Sequence, residues 1–167
     1  MKKIVIIDGN DGTGKTTLAT KLADTLSGIY VKPFQVADPL LIWLHKSNKY
    51  DEFTQVAKLC LTKAIDDNMD ESVIVMDRGW PTALSVTDLS FEEQYEIHEK
   101  TIVLTASTSE IINRHNSRGE VISLDYLTRF NENIKKVIDK FNLDVIDTTN
   151  KNLDSTLEAA LRIITNE

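Results

Sequence analysis

The sequence predicts an α/β fold of three layers, in which helices cover both faces of a mainly parallel sheet of about five strands. Short runs of β-branched and aliphatic residues, bounded by polar or turn residues, predict buried strands. They alternate with segments in which apolar residues recur every three or four positions, as on one face of a helix. This alternation favours parallel pairing, because parallel neighbours need a crossover connection and a helix supplies it.

The chain is predicted to form one domain over residues 1–167, since that length suits a single core and no Pro- or Gly-rich linker divides it. The predicted strands are, in chain order, Ile4–Ile7, Ile29–Lys32, Val73–Met76, Thr101–Leu104 and Leu143–Ile146. Helical spacing of apolar residues occurs in the segments Leu18–Leu26, Phe53–Ile65, Leu127–Phe141 and Leu157–Ile164. Two capping boxes, in which a serine precedes a glutamate by three positions, predict further helix starts. They are Ser90 with Glu93, before Phe91, and Ser107 with Glu110, before Thr108.

Charge and hydropathy limit the classes of function. The 19 basic and 26 acidic residues give a net charge of -7, so the surface should repel a nucleic-acid backbone or an anionic membrane. No stretch approaches the roughly 20 apolar residues of a membrane span. Lys2 and Lys3 precede an apolar run that is too short for a signal-peptide core. We therefore expect a cytoplasmic protein with no membrane partner and no extended nucleic-acid surface.

A phosphate-binding loop follows the first predicted strand. Residues 9–16 read GNDGTGKT, which fits the pattern G-x-x-x-x-G-K-[ST] between a strand and an amphipathic helix. Such a loop turns its N–H groups towards phosphates, and the helix N-terminus adds positive potential. Lys15 is then expected to bridge the β- and γ-phosphates of ATP, and the Thr16 hydroxyl to ligate Mg²⁺. The residues assigned to ATP are Gly9, Asn10, Asp11, Gly12, Thr13, Gly14, Lys15, Thr16 and Thr17.

The third predicted strand ends in Asp77, the position at which a Walker B carboxylate helps to position Mg²⁺. Arg78 follows at once, and a guanidinium there suits an acceptor phosphate. Ligands of open α/β sheets bind beyond the carboxyl ends of the strands. We therefore expect Asp8-Gly9, Asp77-Arg78 and Asp147-Thr148 to converge at one edge of the sheet.

These motifs resemble those of one family of P-loop kinases. Residues 8–17, DGNDGTGKTT, resemble the loop of thymidylate kinases, and Asp77-Arg78-Gly79-Trp80 resembles that family's Asp-Arg-aromatic element. Related deoxynucleoside kinases more often have Gly-Asn-Ile-Gly in the loop and Glu-Arg-Ser after the strand. Asn10 resembles the second group, whereas Asp11 and Asp77 resemble the first. The resemblance implies a P-loop kinase fold that uses ATP and Mg²⁺, with a homodimer left open.

The resemblance also implies roles for individual residues. Asp11 would lie near the sugar hydroxyl of the acceptor, and Arg78 would hold its 5′-phosphate. Arg114 and Arg118 resemble the arginines of a lid, here near 107–122, that closes over the transferring phosphates. The catalytic set on this reading is Lys15, Asp77, Arg78, Arg114 and Arg118.

The chain departs from the thymidylate kinase pattern at two places. The family's Arg-Glu-Pro-Gly after the second strand is here Val31-Lys32-Pro33-Phe34. The helix that carries a base-reading arginine in the family offers Phe53, Gln55 and Lys58 instead. The residues assigned to the acceptor are Asp11, Phe53, Gln55 and Arg78.

Three functions remain open at this point. A nucleoside kinase must activate a neutral 5′-hydroxyl and needs a carboxylate base near the second strand, where this chain has Lys32. A monophosphate acceptor is already an anion and needs positioning and charge neutralisation instead, so we favour phosphoryl transfer to a deoxynucleoside monophosphate. A deoxynucleoside kinase is the alternative, and a nucleotide-binding switch or ATPase is a further one.

Overall fold

The computed structural model describes residues 2–87, 89–98 and 100–165. The strands are β1 (Lys3–Gly9), β2 (Ile29–Val31), β3 (Val73–Asp77), β4 (Lys100–Thr105) and β5 (Asp144–Asp147). The α-helices are α1 (Lys15–Thr25), α2 (Asp38–Lys46), α3 (Tyr50–Asp66), α4 (Trp80–Val86), α5 (Thr108–Ser117), α6 (Leu124–Phe141) and α7 (Leu153–Thr165).

All five strands pair in parallel, in the order β2-β3-β1-β4-β5. The five strand predictions and the parallel sheet are confirmed. The central strand β1 lies between β3 and β4, with Ile4 opposite Ile74 and Ile7 opposite Ile102. Each of these pairings needs a crossover, and the helices of the chain provide them.

The sheet is covered on both faces, which confirms the three-layer prediction. Successive residues of β1 face opposite sides: Ile6 packs with α3 and α4, whereas Val5 and Ile7 pack with α1 and α7. These three side chains have no exposed surface. Burial on both faces is why β1 and β3 are continuous apolar runs rather than alternating ones.

The two capping boxes have different outcomes. Ser107 caps α5 as predicted, since its Oγ accepts a hydrogen bond from the Glu110 amide at 3.2 Å. The segment at Ser90 forms a 3₁₀ helix, Leu89–Gln94, rather than an α-helix. This 3₁₀ helix has six residues, and a helix so short has little cooperative stability of its own. Within the described ranges, no helix is both long enough and apolar enough to span a bilayer.

Candidate active site

The loop that joins β1 to α1 requires glycine for steric reasons. Gly9, Gly12 and Gly14 have φ angles of 131°, 83° and 92°, which residues with a Cβ rarely adopt. A Cβ at Gly9 would also overlap the carbonyl oxygen of Leu104 in β4. The backbone can therefore curve around a phosphate group where a bulkier residue would disrupt both the turn and the sheet. The sequence-predicted P-loop thus has the geometry of one.

Asp8, at the end of β1, connects the P-loop to the segment after β3. Its buried carboxylate accepts hydrogen bonds from the amides of Gly9 at 2.6 Å, Gly79 at 2.9 Å and Thr82 at 3.0 Å. Three N–H donors compensate the cost of burying this charge. Asp8 was expected at this edge of the sheet from the sequence, but without a role. It holds the P-loop and the segment after β3 in register.

Lys15 lies against its own loop. Its Nζ donates a hydrogen bond to the Asn10 carbonyl at 2.7 Å and is 3.6 Å from the Asp11 carboxylate. Burial, together with the positive charge of Arg78, lowers the pKa of Lys15 to about 8, although nearby carboxylates oppose the shift. An anionic phosphate group beside this ammonium would add to the compensation that the nearby carboxylates give, and would favour its protonated form.

Asp77 accepts two hydroxyl hydrogen bonds on Oδ2, from Thr16 at 2.6 Å and from Tyr30 at 2.9 Å. The Nζ atom of Lys32 lies 3.9 Å from the same oxygen. Hydroxyl and carboxylate oxygens are hard ligands of the kind Mg²⁺ prefers, and Mg²⁺ usually takes only one or two from a protein, the rest being water and phosphate. Thr16 and Asp77 therefore fit the predicted metal site. Tyr30 could not be identified from the sequence, because its contact with Asp77 spans 47 positions.

Arg78 has a φ of 74°, which turns its side chain back over the P-loop. Its guanidinium pairs with Asp11 and donates a hydrogen bond to the Thr82 hydroxyl at 3.0 Å. Burial alone would lower the pKa of Arg78, but Asp11 and Asp8 hold that pKa above its ordinary value. The structure thus brings Asp11 and Arg78 together, as the sequence analysis expected for two residues that share a ligand.

Two cavities meet at the ion pair of Asp11 and Arg78. The larger one, of about 520 Å³, lies between the P-loop and helices α2, α3 and α6. It is lined by Asp11, Phe34, Asp38, Leu41, Ile42, His45, Lys46, Phe53, Arg78, Thr82, Val86, Tyr126 and Phe130. We call it the acceptor cavity. The second, of about 380 Å³, is lined by Asp11, Lys15, Thr16, Lys32, Phe34, Gln35, Asp38, Asp77 and Arg78, and we call it the phosphate cavity.

The candidate base-reading residues on α3 separate in the structure. Phe53 is buried and lines the acceptor cavity. Gln55 is exposed and is absent from the lining of both cavities. It lies two residues after Phe53, so its side chain points to nearly the opposite side of α3. Lys58 lines a separate small cavity beside Trp80. Helical geometry thus brings only Phe53 to the site.

Asp38 is a carboxylate that the sequence analysis missed. It begins α2 and lines both the acceptor and the phosphate cavity. Partial burial and the negative charge of Asp11 raise the pKa of Asp38, against the opposing charges of Arg78 and Lys32. The signal that could have found it is the Asp-Pro pair at 38–39, which favours a helix start. Nothing in the sequence indicates that the first turn of this helix faces the P-loop.

The two arginines predicted to belong to a lid occupy different environments. Arg114 donates hydrogen bonds to the Gly12 carbonyl at 3.0 Å and to the Thr148 carbonyl at 2.8 Å, so it joins the P-loop to the end of β5. Arg118 is about half exposed and pairs with Glu120 at 2.8 Å. Both arginines line a groove of about 370 Å³ beside Gly12, Thr13, Gly14 and Thr17. The predicted convergence of the strand ends is confirmed, since Thr148 also donates a hydrogen bond to the Thr13 carbonyl at 3.1 Å.

Solved structures of several kinases share this architecture over nearly the whole chain. A deoxyadenosine kinase from M. mycoides, with dCMP and dCDP bound, is 15% identical over 98% of this chain and 100% of that one, with a TM-score of 0.67. A thymidylate kinase from Candida albicans is 13% identical over 99% and 92%, with a TM-score of 0.70. A gluconokinase from Sinorhizobium meliloti is 15% identical over 99% and 92%, with a TM-score of 0.69. No protein-family model matches the sequence.

These likenesses establish the P-loop kinase fold that the sequence motifs predicted. The names of the three proteins record different substrates, so the fold by itself does not specify an acceptor. The acceptor has to be inferred from the site.

Proposed function

We propose that this protein transfers the γ-phosphoryl group of ATP to a deoxynucleoside monophosphate, as a thymidylate kinase does. The observation that carries the proposal is the junction of the two cavities at Asp11 and Arg78. The phosphate cavity contains the P-loop lysine and the metal-binding oxygens, and the acceptor cavity opens directly from it. A donor phosphate held by Lys15 and an acceptor held by Arg78 would therefore face each other.

The donor side uses the P-loop. The amides of the loop and the Lys15 ammonium bind the β- and γ-phosphates, and Arg118 approaches from the lid when it closes. Thr16 and Asp77 would hold Mg²⁺, which would neutralise charge on the phosphates when bound. Arg114 positions the loop through its hydrogen bond to the Gly12 carbonyl.

The acceptor side suits a nucleotide in size and chemistry. A cavity of about 520 Å³ lies within the ordinary range for small-molecule sites. Aromatic side chains line it on three elements, with Phe34 before α2, Phe53 on α3, and Tyr126 and Phe130 on α6. A planar base can stack between such rings, while Asp11 and Arg78 hold the sugar-phosphate end.

A deoxynucleoside kinase is the second candidate, and Asp38 is the observation that favours it. The preference for a monophosphate rested partly on the lack of an acid near β2, and Asp38 places a carboxylate at the junction of the two cavities. A carboxylate whose pKa is raised is a suitable general base for a 5′-hydroxyl. A monophosphate acceptor would not need it.

The test is a panel of deoxynucleosides and their monophosphates, each assayed with ATP-Mg for the wild type and for Asp38→Asn. A monophosphate kinase should phosphorylate only the monophosphates and keep its kcat in the variant. A nucleoside kinase should phosphorylate the nucleosides and lose about 10²-fold or more in kcat with Asp38→Asn, the usual contribution of a general base. ATP turnover that ignores every acceptor would instead support a switch or ATPase.

A further inference from the structure

The ammonium of Lys32 lines the phosphate cavity and donates no hydrogen bond to any described residue. Three cations line that cavity. Lys15 is bonded to the Asn10 carbonyl, and Arg78 is bonded to Asp11 and Thr82. The nearest acid to Lys32 is Asp77, at 3.9 Å, which is beyond hydrogen-bond range.

The ion pair between Lys32 and Asp77 is weak for a second reason, besides its length. The Oδ2 atom nearest to Lys32 already accepts hydrogen bonds from the hydroxyls of Thr16 and Tyr30. The Lys32 side chain is 40% exposed, so water competes for its ammonium and few packing contacts restrain it. Lys32 can therefore leave Asp77 at little energetic cost.

The charge of the phosphate cavity shows why a mobile cation matters there. Three carboxylates, Asp11, Asp38 and Asp77, face the three cations along its lining. The donor and the acceptor phosphates both add negative charge to this balanced set. Of the three cations, Lys32 has the charge that is least neutralised by neighbouring protein groups. Its ammonium is therefore the most available to a phosphate.

We propose that Lys32 is a catalytic residue, whose ammonium moves from Asp77 to the oxygens of the phosphoryl group during its transfer. This inference rests on the phosphoryl transfer proposed above. In that step an acceptor-phosphate oxygen forms a bond to the γ-phosphorus of ATP, the bond to the β,γ-bridging oxygen breaks, and that oxygen leaves with the electron pair as part of ADP. Lys32 keeps its protons and stabilises charge on the equatorial oxygens.

The test compares Lys32→Met and Lys32→Arg with the wild type. The matched control is Lys63→Met, since Lys63 also pairs with an aspartate, Asp67, but lies on α3 outside the lining of both cavities. Steady-state assays give kcat and KM. Calorimetry gives the affinity for ADP-Mg alone, and then for ADP-Mg with aluminium fluoride and acceptor, a mimic of the planar transferring group.

Lys32→Met should lower kcat by about 10²-fold, as the loss of one preorganised charge contact does, and leave ADP-Mg affinity unchanged. The affinity of the aluminium fluoride complex should fall by a similar factor. Lys32→Arg should recover part of both losses, because it keeps the charge but not the geometry. Lys63→Met should behave as the wild type does.

Two results would overturn the proposal. One is a kcat for Lys32→Met equal to that of the wild type, and the other is a loss that excess Mg²⁺ restores in full, which would make Lys32 only a neutraliser of Asp77. In both cases the wild type still transfers phosphate and the proposed function stands. A wild type that phosphorylates no acceptor would overturn the proposed function and the role of Lys32 with it.

Discussion

Replacement of Arg78 by alanine is the most informative change on the acceptor side. The guanidinium is anchored by Asp11 and Thr82 and lies where the two cavities meet. A bidentate bond from this anchored group to an acceptor phosphate should contribute about 1.5 to 3 kcal/mol. Because about 1.4 kcal/mol corresponds to a factor of ten, Arg78→Ala should weaken monophosphate binding by roughly 10- to 150-fold.

The ion pair with Asp11 adds a second effect. When Arg78 is removed, the Asp11 carboxylate stays beside the acceptor phosphate without its cation, and the two anions repel. The double variant Asp11→Asn, Arg78→Ala should therefore bind monophosphate better than Arg78→Ala alone. Arg78→Lys should recover only part of the loss, because an ammonium keeps the charge but lacks the planar fork.

The assay is calorimetric titration of thymidine and its monophosphate into each variant. ATP binding should change little, since the P-loop provides its contacts. Arg162→Ala is a suitable control, because Arg162 pairs with Glu158 on α7 and is mostly exposed. If the wild type binds the nucleoside and the monophosphate equally well, and Arg78→Ala changes neither, the monophosphate assignment is wrong.

Three further predictions concern the donor side. ATP affinity should fall as the pH rises above about 8, because the phosphates bind the protonated form of Lys15. Calorimetry that shows no change in ATP affinity up to the ordinary lysine pKa would contradict this. Arg118→Ala should lower kcat more than it raises KM for ATP. Arg114→Ala should also lower the Tm, since of these two arginines Arg114 is the one that donates a hydrogen bond to the loop backbone; equal Tm values for the two variants would refute the distinction. Gly9→Ala should destabilise the fold because its Cβ meets the Leu104 carbonyl, and an unchanged Tm would disprove that.

The P-loop and the five strands could be predicted because their signals are local. A glycine-rich loop is defined by adjacent residues, and a buried strand by a continuous apolar run such as Val73–Met76. The placement of Gln55 could also have been found from the sequence. Phe53 is on the buried face of α3, so a residue two positions later points away from it.

The α/β class, the phosphate-binding loop and the Asp77-Arg78 step follow from the amino-acid sequence alone, because each depends on neighbours along the chain. Which side chains line the two cavities depends instead on the tertiary structure. Tyr30 and Lys32 meet Asp77 only because β2 pairs with β3. Asp38 reaches the junction of the cavities only because α2 packs against α3, across the acceptor cavity from the P-loop. Such contacts depend on the order of strands and the docking of helices, which the burial of apolar surface from distant segments determines.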